Sequence, residues 1–143
     1  MPKRRAEATW KGTLKEGQGW IKTESDELNS QFGFASRFEN GKGTNPEELI
    51  GAAHAACFSQ AFALELGNND FPPTAIDTTA DVSIEKRDGG FAITKIELKT
   101  KCDVPGIDKG TFEKIAQGAK ENCPVSKALA ATEITLETEL VAS

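Results

Sequence analysis

Between Gly51 and Cys57 every residue is Gly, Ala, His or Cys, inside a stretch, Glu48–Phe58, that reads ELIGAAHAACF. A helix of that composition lacks the side chains to fill space around it, so neighbouring backbones must come close. Its start is well marked. In Thr44-Asn45-Pro46-Glu47-Glu48, Asn45 can cap, Pro46 suits the first helical position, and two carboxylates complement the positive end of the helix dipole. The spacing predicts a helix from Pro46 to about Leu66, ended by Gly67-Asn68-Asn69. From Leu49 to Leu64 it is nearly apolar all round, the mark of a buried helix. A chain of 143 residues offers such a helix few partners, and pairing with its copy in a second subunit would cover it.

The flanking segments are mostly strands. Residues 1–8 read as a loose polar arm. Ala8 to about Thr23 is strand-like, with a turn expected at Gly17–Gly19. Ser30–Phe38 alternates in part, Phe32, Phe34, Ser36 and Phe38 on one face and Gly33, Ala35 and Arg37 on the other, which predicts a third strand. After the helix, strands over Ile76–Lys86 and Phe91–Cys102 flank Asp88-Gly89-Gly90, a strong hairpin signal. Asp108–Glu121 is an amphipathic helix carrying Phe112, Ile115, Ala116 and Ala119 on one face. Cys123-Pro124 interrupts it, a short helix over Val125–Ala130 follows, and Thr132–Val141 alternates as a final strand. The order βββ-α-ββ-α-β, with strands in antiparallel hairpins, gives an α+β class, and the length fits one domain over residues 1–143.

Composition narrows the partners. Seventeen basic against twenty-two acidic residues leave a net charge of −5, which argues against nucleic acid and against anionic lipid. The apolar share, 38%, is low enough to suggest apolar surface shared with a partner. No uninterrupted apolar run of about 18 residues is present, so no membrane span is expected. Met1-Pro2-Lys3-Arg4-Arg5 leads into polar residues rather than an apolar core, so the expected compartment is the cytoplasm. Three cysteines and one histidine form neither a disulfide framework nor the paired spacing of a structural zinc site.

Four residues could carry chemistry. Glu47, Ile50, His54, Cys57 and Ala61 share one helical stripe. Cys57 is either a small buried hydrophobe or a nucleophilic thiolate, and far from the helix N-terminus the second reading requires a nearby cation. His54, three residues earlier, reads more readily as a hydrogen-bonded core histidine than as half of a Cys–His pair. Arg37 lies among small and apolar residues; it is either a surface arginine paired with Glu39 or a buried cation that needs an anionic partner. Cys123, before Pro124, is either a junction residue or a thiol activated at the start of a short helix. Sixty-six residues separate it from Cys57, so only the fold can bring the two together. Cys102 reads as structural.

Thr44 to Phe58 (TNPEELIGAAHAACF) followed by Cys123-Pro124-Val125-Ser126 resembles the OsmC branch of the OsmC/Ohr family. The similarity extends to Phe34–Phe38, Ile76–Val82 and Phe91–Ile96. It implies a thiol peroxidase for organic hydroperoxides and, less well, hydrogen peroxide. It also implies an intertwined homodimer with antiparallel sheets wrapped around two central helices. The peroxidatic cysteine of the family falls on Cys57, the resolving cysteine on Cys123, its arginine on Arg37 and its glutamate on Glu47, with Glu48 as the fallback. A lipoyl-type dithiol is the implied reductant, and no cofactor or metal is needed. In that chemistry Arg37 holds the Cys57 thiol ionised and Glu47 holds Arg37. The sulfenic acid formed on Cys57 then condenses with Cys123 to a disulfide.

Ten residues of straight helix put about 15 Å between Glu47 and Cys57, so one arginine head is not expected to touch both within one chain. Each site is therefore expected to draw on both subunits, with the glutamate from its own chain or from the partner. Two other readings compete: a cysteine hydrolase using Cys57 and His54, and a non-enzymatic redox sensor or ligand-binding dimer.

Overall fold

The computed structural model describes residues 2–141. The chain divides into two compact units, residues 1–49 and 50–143.

The first unit is an antiparallel meander of β1 (Ala6–Lys11), β2 (Gln18–Thr23) and β3 (Asn29–Phe32), followed by a short helix α1 (Phe34–Phe38). Strand β1 begins inside the segment read as a loose arm. The turn falls over residues 12–17 rather than at Gly17–Gly19, because Gly12 takes a positive φ of 98° and the Gly17 N–H bonds the Thr13 carbonyl at 2.7 Å. Gly19 is therefore a strand residue. Its partners Trp10 and Phe32 close over it, ring centroids 5.5 Å apart, and a Cβ there would sit 2.6 Å from both rings.

The third strand stops at Phe32, and Arg37 sits on a helix, not on a strand face. Phe34 and Phe38 stack at 5.2 Å as an i, i+4 pair. The Ser36 hydroxyl accepts the Gly33 N–H at 2.9 Å and donates to the Thr44 carbonyl at 2.8 Å, which closes the turn. Among the described residues of this unit no hydrophobic side chain is fully buried.

Helix α2 (Pro46–Asn68) starts in the first unit and runs through the second, where β4 (Ala75–Arg87), β5 (Gly90–Asp103), α3 (Lys109–Asn122), α4 (Pro124–Ala128) and β6 (Glu133–Leu140) follow. Asn45 caps α2, its Oδ1 accepting the Glu48 N–H at 2.8 Å. Asp88 (φ 37°) and Gly89 (φ 83°) both take positive φ, which the tight β4–β5 hairpin requires. The register slips by one residue between Ser83 and Ile84, a bulge that leaves Thr94 unpaired.

Strand β6 pairs with β5 in parallel, so the second sheet, ordered β4-β5-β6, is mixed rather than antiparallel. The reason is topological. Helices α3 and α4 carry the chain back along the sheet, and a strand after such a crossover runs in the same direction as the one before it.

The core belongs to this second unit. Phe58, Phe62 and Leu66 of α2, Ile96, Leu98 and Cys102 of β5, and Phe112, Ala116 and Ala119 of α3 are all buried. Phe62 stacks with Phe58 at 5.6 Å and with Phe112 at 5.4 Å. Close approach of α2 to its neighbours is realised at Gly51, where a Cβ would lie 3.2 Å from the Ala80 carbonyl oxygen.

Burial is one-sided, however. Gly51, His54, Phe58, Phe62 and Leu66 face inward, while Ala52, Ala53, Ala56 and Leu64 are exposed, Leu64 by 63%. By length and composition alone α2 could cross a membrane, contrary to the expectation of no such segment. An average over the helix tolerates His54 and Gln60, whereas an unbroken apolar run does not.

Candidate active site

The first unit brings Arg37 and Glu47 together. Arg37, on α1, donates from Nε to Glu47 Oε1 at 2.8 Å, and its guanidinium carbon lies 5.4 Å from the centre of the Phe38 ring. Glu47 is buried in the first turn of α2, and its second oxygen, Oε2, has no hydrogen-bond partner in the chain. Asn45 ties the two elements together by donating to the Ser36 carbonyl at 3.0 Å.

Arg37 thus pairs with Glu47 of its own chain and not with Glu39. Glu48 is engaged elsewhere, accepting from Thr44 Oγ1 at 2.7 Å. Around the guanidinium an open hollow of about 270 Å³ is lined by Trp10, Leu14, Phe32, Phe34, Phe38 and Pro46. Walls of phenylalanine agree with the sequence reading, whereas Trp10, Leu14 and Pro46 were not singled out by it as lining. The signal for the phenylalanines was the even spacing of Phe32, Phe34 and Phe38 around Arg37.

The second unit brings Cys57 and Cys123 together. Cys57 stands on the fourth turn of α2, half-buried; Cys123 is fully buried where α3 ends and α4 begins. The Cys123 N–H closes α3 on the Ala119 carbonyl at 2.9 Å, and its own carbonyl accepts the Lys127 N–H of α4 at 3.0 Å. Pro124, with no N–H, occupies the first position of α4 and fixes the junction. Both thiols are free, and each shifts the acidity of the other.

Their acidities diverge. Burial pushes Cys57 above the ordinary thiol range. The Val125 N–H offsets this in part, and the adjacent Cys123 sulfur adds to it. Burial raises Cys123 too, but the Ser126 N–H, the Cys57 thiol, the Ser126 hydroxyl and the Val125 N–H outweigh it, so Cys123 ends below the ordinary range. These α4 donors act as nearby dipoles, since no side-chain capping hydrogen bond closes on the Cys123 sulfur. A lowered Cys57 pKa, the expectation for a nucleophile, is thus absent from the single chain, because no cation figures among the groups that shift it.

His54 is fully buried and bonds through Nε2 to Ser126 Oγ at 2.7 Å, while Nδ1 has no partner. Burial lowers its pKa, so it is neutral near pH 7. It is a hydrogen-bonded core histidine, engaged with Ser126 and not with Cys57. Cys102 is buried, with Thr100 Oγ1 at 3.3 Å from its sulfur, and burial raises its pKa. Among the described residues no group of three or more His, Cys, Asp or Glu is placed to hold a metal ion.

Residues 39–139 match the family model described as OsmC-like protein. The chain is 60% identical over 138 residues to "Peroxiredoxin OsmC" of Escherichia coli (strain K12), covering 96% of both sequences. It is 36% identical over 89 residues to an "Organic hydroperoxide resistance protein" of Xanthomonas axonopodis pv. citri (strain 306), covering 62% of this chain and 61% of that one. Among solved structures it is similar to the organic hydroperoxide resistance protein OhrB of Bacillus subtilis, with a TM-score of 0.69, 26% identity, and 96% and 98% of the two chains covered. An OsmC-like protein from Mycoplasma pneumoniae shares the fold at a TM-score of 0.76 and 16% identity, over 99% of each chain.

Proposed function

The chain belongs to the OsmC-like protein family, and from that premise we propose that it is a cysteine-based peroxidase reducing organic hydroperoxides to alcohols. The observation that carries the proposal is the thiol pair: two free cysteines, distant in sequence, near enough that each shifts the acidity of the other.

Cys57 attacks the outer peroxide oxygen as a thiolate, the alcohol leaves, and Cys57 becomes a sulfenic acid. Cys123 condenses with it to a disulfide, which a dithiol of the lipoyl type reduces. The half-exposed Cys57 meets substrate first, and the buried Cys123 resolves. Aromatic walls beside Arg37 favour alkyl peroxides over hydrogen peroxide.

The groups around Cys57 in its own chain raise its pKa, so an external cation is needed. Arg37 of the partner subunit, held by the partner's Glu47, would supply it in an intertwined homodimer. A guanidinium within about 4–6 Å lowers a thiol pKa by about 1–3 units. Two features support the dimer: among its described residues the first unit fully buries no hydrophobic side chain, and α2 leaves Ala52, Ala53, Ala56 and Leu64 exposed. Three free cysteines fit a reducing compartment such as the cytoplasm. The whole chain, residues 1–143, would serve as one domain of that dimer.

The test is steady-state removal of cumene hydroperoxide against hydrogen peroxide with dihydrolipoamide, for wild type, Cys57→Ser and Arg37→Ala. Sustained turnover, faster with cumene hydroperoxide and abolished in Cys57→Ser, is expected. Disulfide formation without turnover would instead indicate a redox sensor, and activity surviving in Cys57→Ser would end the proposal.

A further inference from the structure

The bond between His54 and Ser126 has no part in the chemistry above, yet it joins the helix of one thiol to the helix of the other. His54 Nε2 lies 2.7 Å from Ser126 Oγ, across 72 residues of sequence, with both side chains buried. Ser126 occupies the first turn of α4, whose N-cap is Cys123.

The direction of the bond follows from its other end. Nδ1 of His54 is buried without a partner. A proton on Nδ1 would leave an orphan buried N–H, a rare and costly state, whereas an unmatched ring lone pair is easier to accommodate. The favoured tautomer therefore carries its proton on Nε2 and donates to Ser126 Oγ. The hydroxyl proton of Ser126 is then free to point elsewhere, and Ser126 stands three residues after Cys123, in the first turn of the helix that Cys123 opens.

We propose that His54 is a positioning residue for Cys123: it fixes the Ser126 hydroxyl so that its proton is aimed at the Cys123 sulfur and stabilises the anion that resolves the Cys57 sulfenic acid. Consistent with this, the Ser126 hydroxyl is one of the groups that draw Cys123 below the ordinary thiol range. The inference rests on the peroxidase reading and concerns only its second step. There the Cys123 sulfur anion forms the S–S bond, the S–O bond on Cys57 breaks, and hydroxide departs and takes a proton from solvent. Cys123 sulfur is oxidised and the sulfenic sulfur reduced, so no further redox partner enters.

The two steps can be timed separately. Reduced protein is mixed with one equivalent of cumene hydroperoxide, quenched at intervals with dimedone, and analysed by mass spectrometry for sulfenic acid and disulfide. In His54→Phe and Ser126→Ala the sulfenic acid forms, but its conversion to disulfide is slowed about tenfold, the effect of one hydrogen bond to a charged group. The double variant is no slower than the slower single one, because both remove the same interaction. His54→Gln and Ser126→Thr, which keep the donor and the hydroxyl, recover most of the rate.

If His54→Phe does not fold, the Ser126→Ala and Ser126→Thr pair decides alone. Resolution within about twofold of wild type in the folded variants, or no recovery in Gln and Thr, overturns the inference. Failure of the wild type to form any sulfenic acid would instead remove the peroxidase reading.

Discussion

His54 shows how one buried side chain ties acid–base chemistry to stability. In the folded chain burial depresses its pKa below the ordinary 6.5, while in the unfolded chain it titrates normally. As pH falls below about 6.5 the unfolded state takes up a proton that the native state refuses. The stability that His54 contributes is therefore fully present above that pH and is lost as acidity increases. Urea unfolding of the wild type is expected to weaken between pH 7 and pH 5 with an uptake approaching one proton, and His54→Gln to flatten that slope; equal slopes would refute the assignment. The role of His54 as a core residue was readable from its place on an apolar helix. Its bond to Ser126 was not, since only the fold brings a residue 72 positions away to its ring. The lowered pKa of Cys123 was partly readable, because Cys-Pro announces the start of a helix. The raised pKa of Cys57 was not, as it depends on burial and on a neighbouring sulfur.

At the level of elements, local chemistry explains what sequence could and could not reveal. Asn45-Pro46-Glu47 and Asp88-Gly89 specify their helix start and hairpin through caps and positive φ, and both form as expected. Helix α1 escaped because residues four apart, Phe34 and Phe38, lie on one face in a strand and in a helix alike. The direction of β6 was available from the two-helix crossover before it, a topological rule that residue alternation does not express. Helix α2 depends on its aromatic ridge. Phe62 touches Phe58 and Phe112 and is fully buried, so Phe62→Ala should cost about 3–5 kcal/mol, read as a fall in the urea midpoint. A loss below about 1 kcal/mol would mean that the ridge does not hold α2 to the core.

For the whole molecule the deciding fact is what the single chain leaves uncovered. A meander with no fully buried hydrophobic side chain among its described residues and a long apolar helix exposed on one side both call for a covering surface, and a second copy offers one. Ala56 stands on that exposed face. Ala56→Arg should convert a dimer to monomer in analytical ultracentrifugation and abolish peroxide turnover with it; a fully active monomer would separate assembly from function. The central claim, that the arginine of one subunit keeps the reactive sulfur of the other ionised, is tested most directly by the rate at which iodoacetamide alkylates Cys57 in the reduced protein as a function of pH. Mass mapping distinguishes Cys57 from Cys102 and Cys123. The account predicts a half-maximal rate at a pH below the ordinary thiol range in the wild type, about 1–3 units higher in Arg37→Ala. A Cys57 that reacts only above pH 9 in the wild type, with Arg37→Ala unchanged, would contradict it.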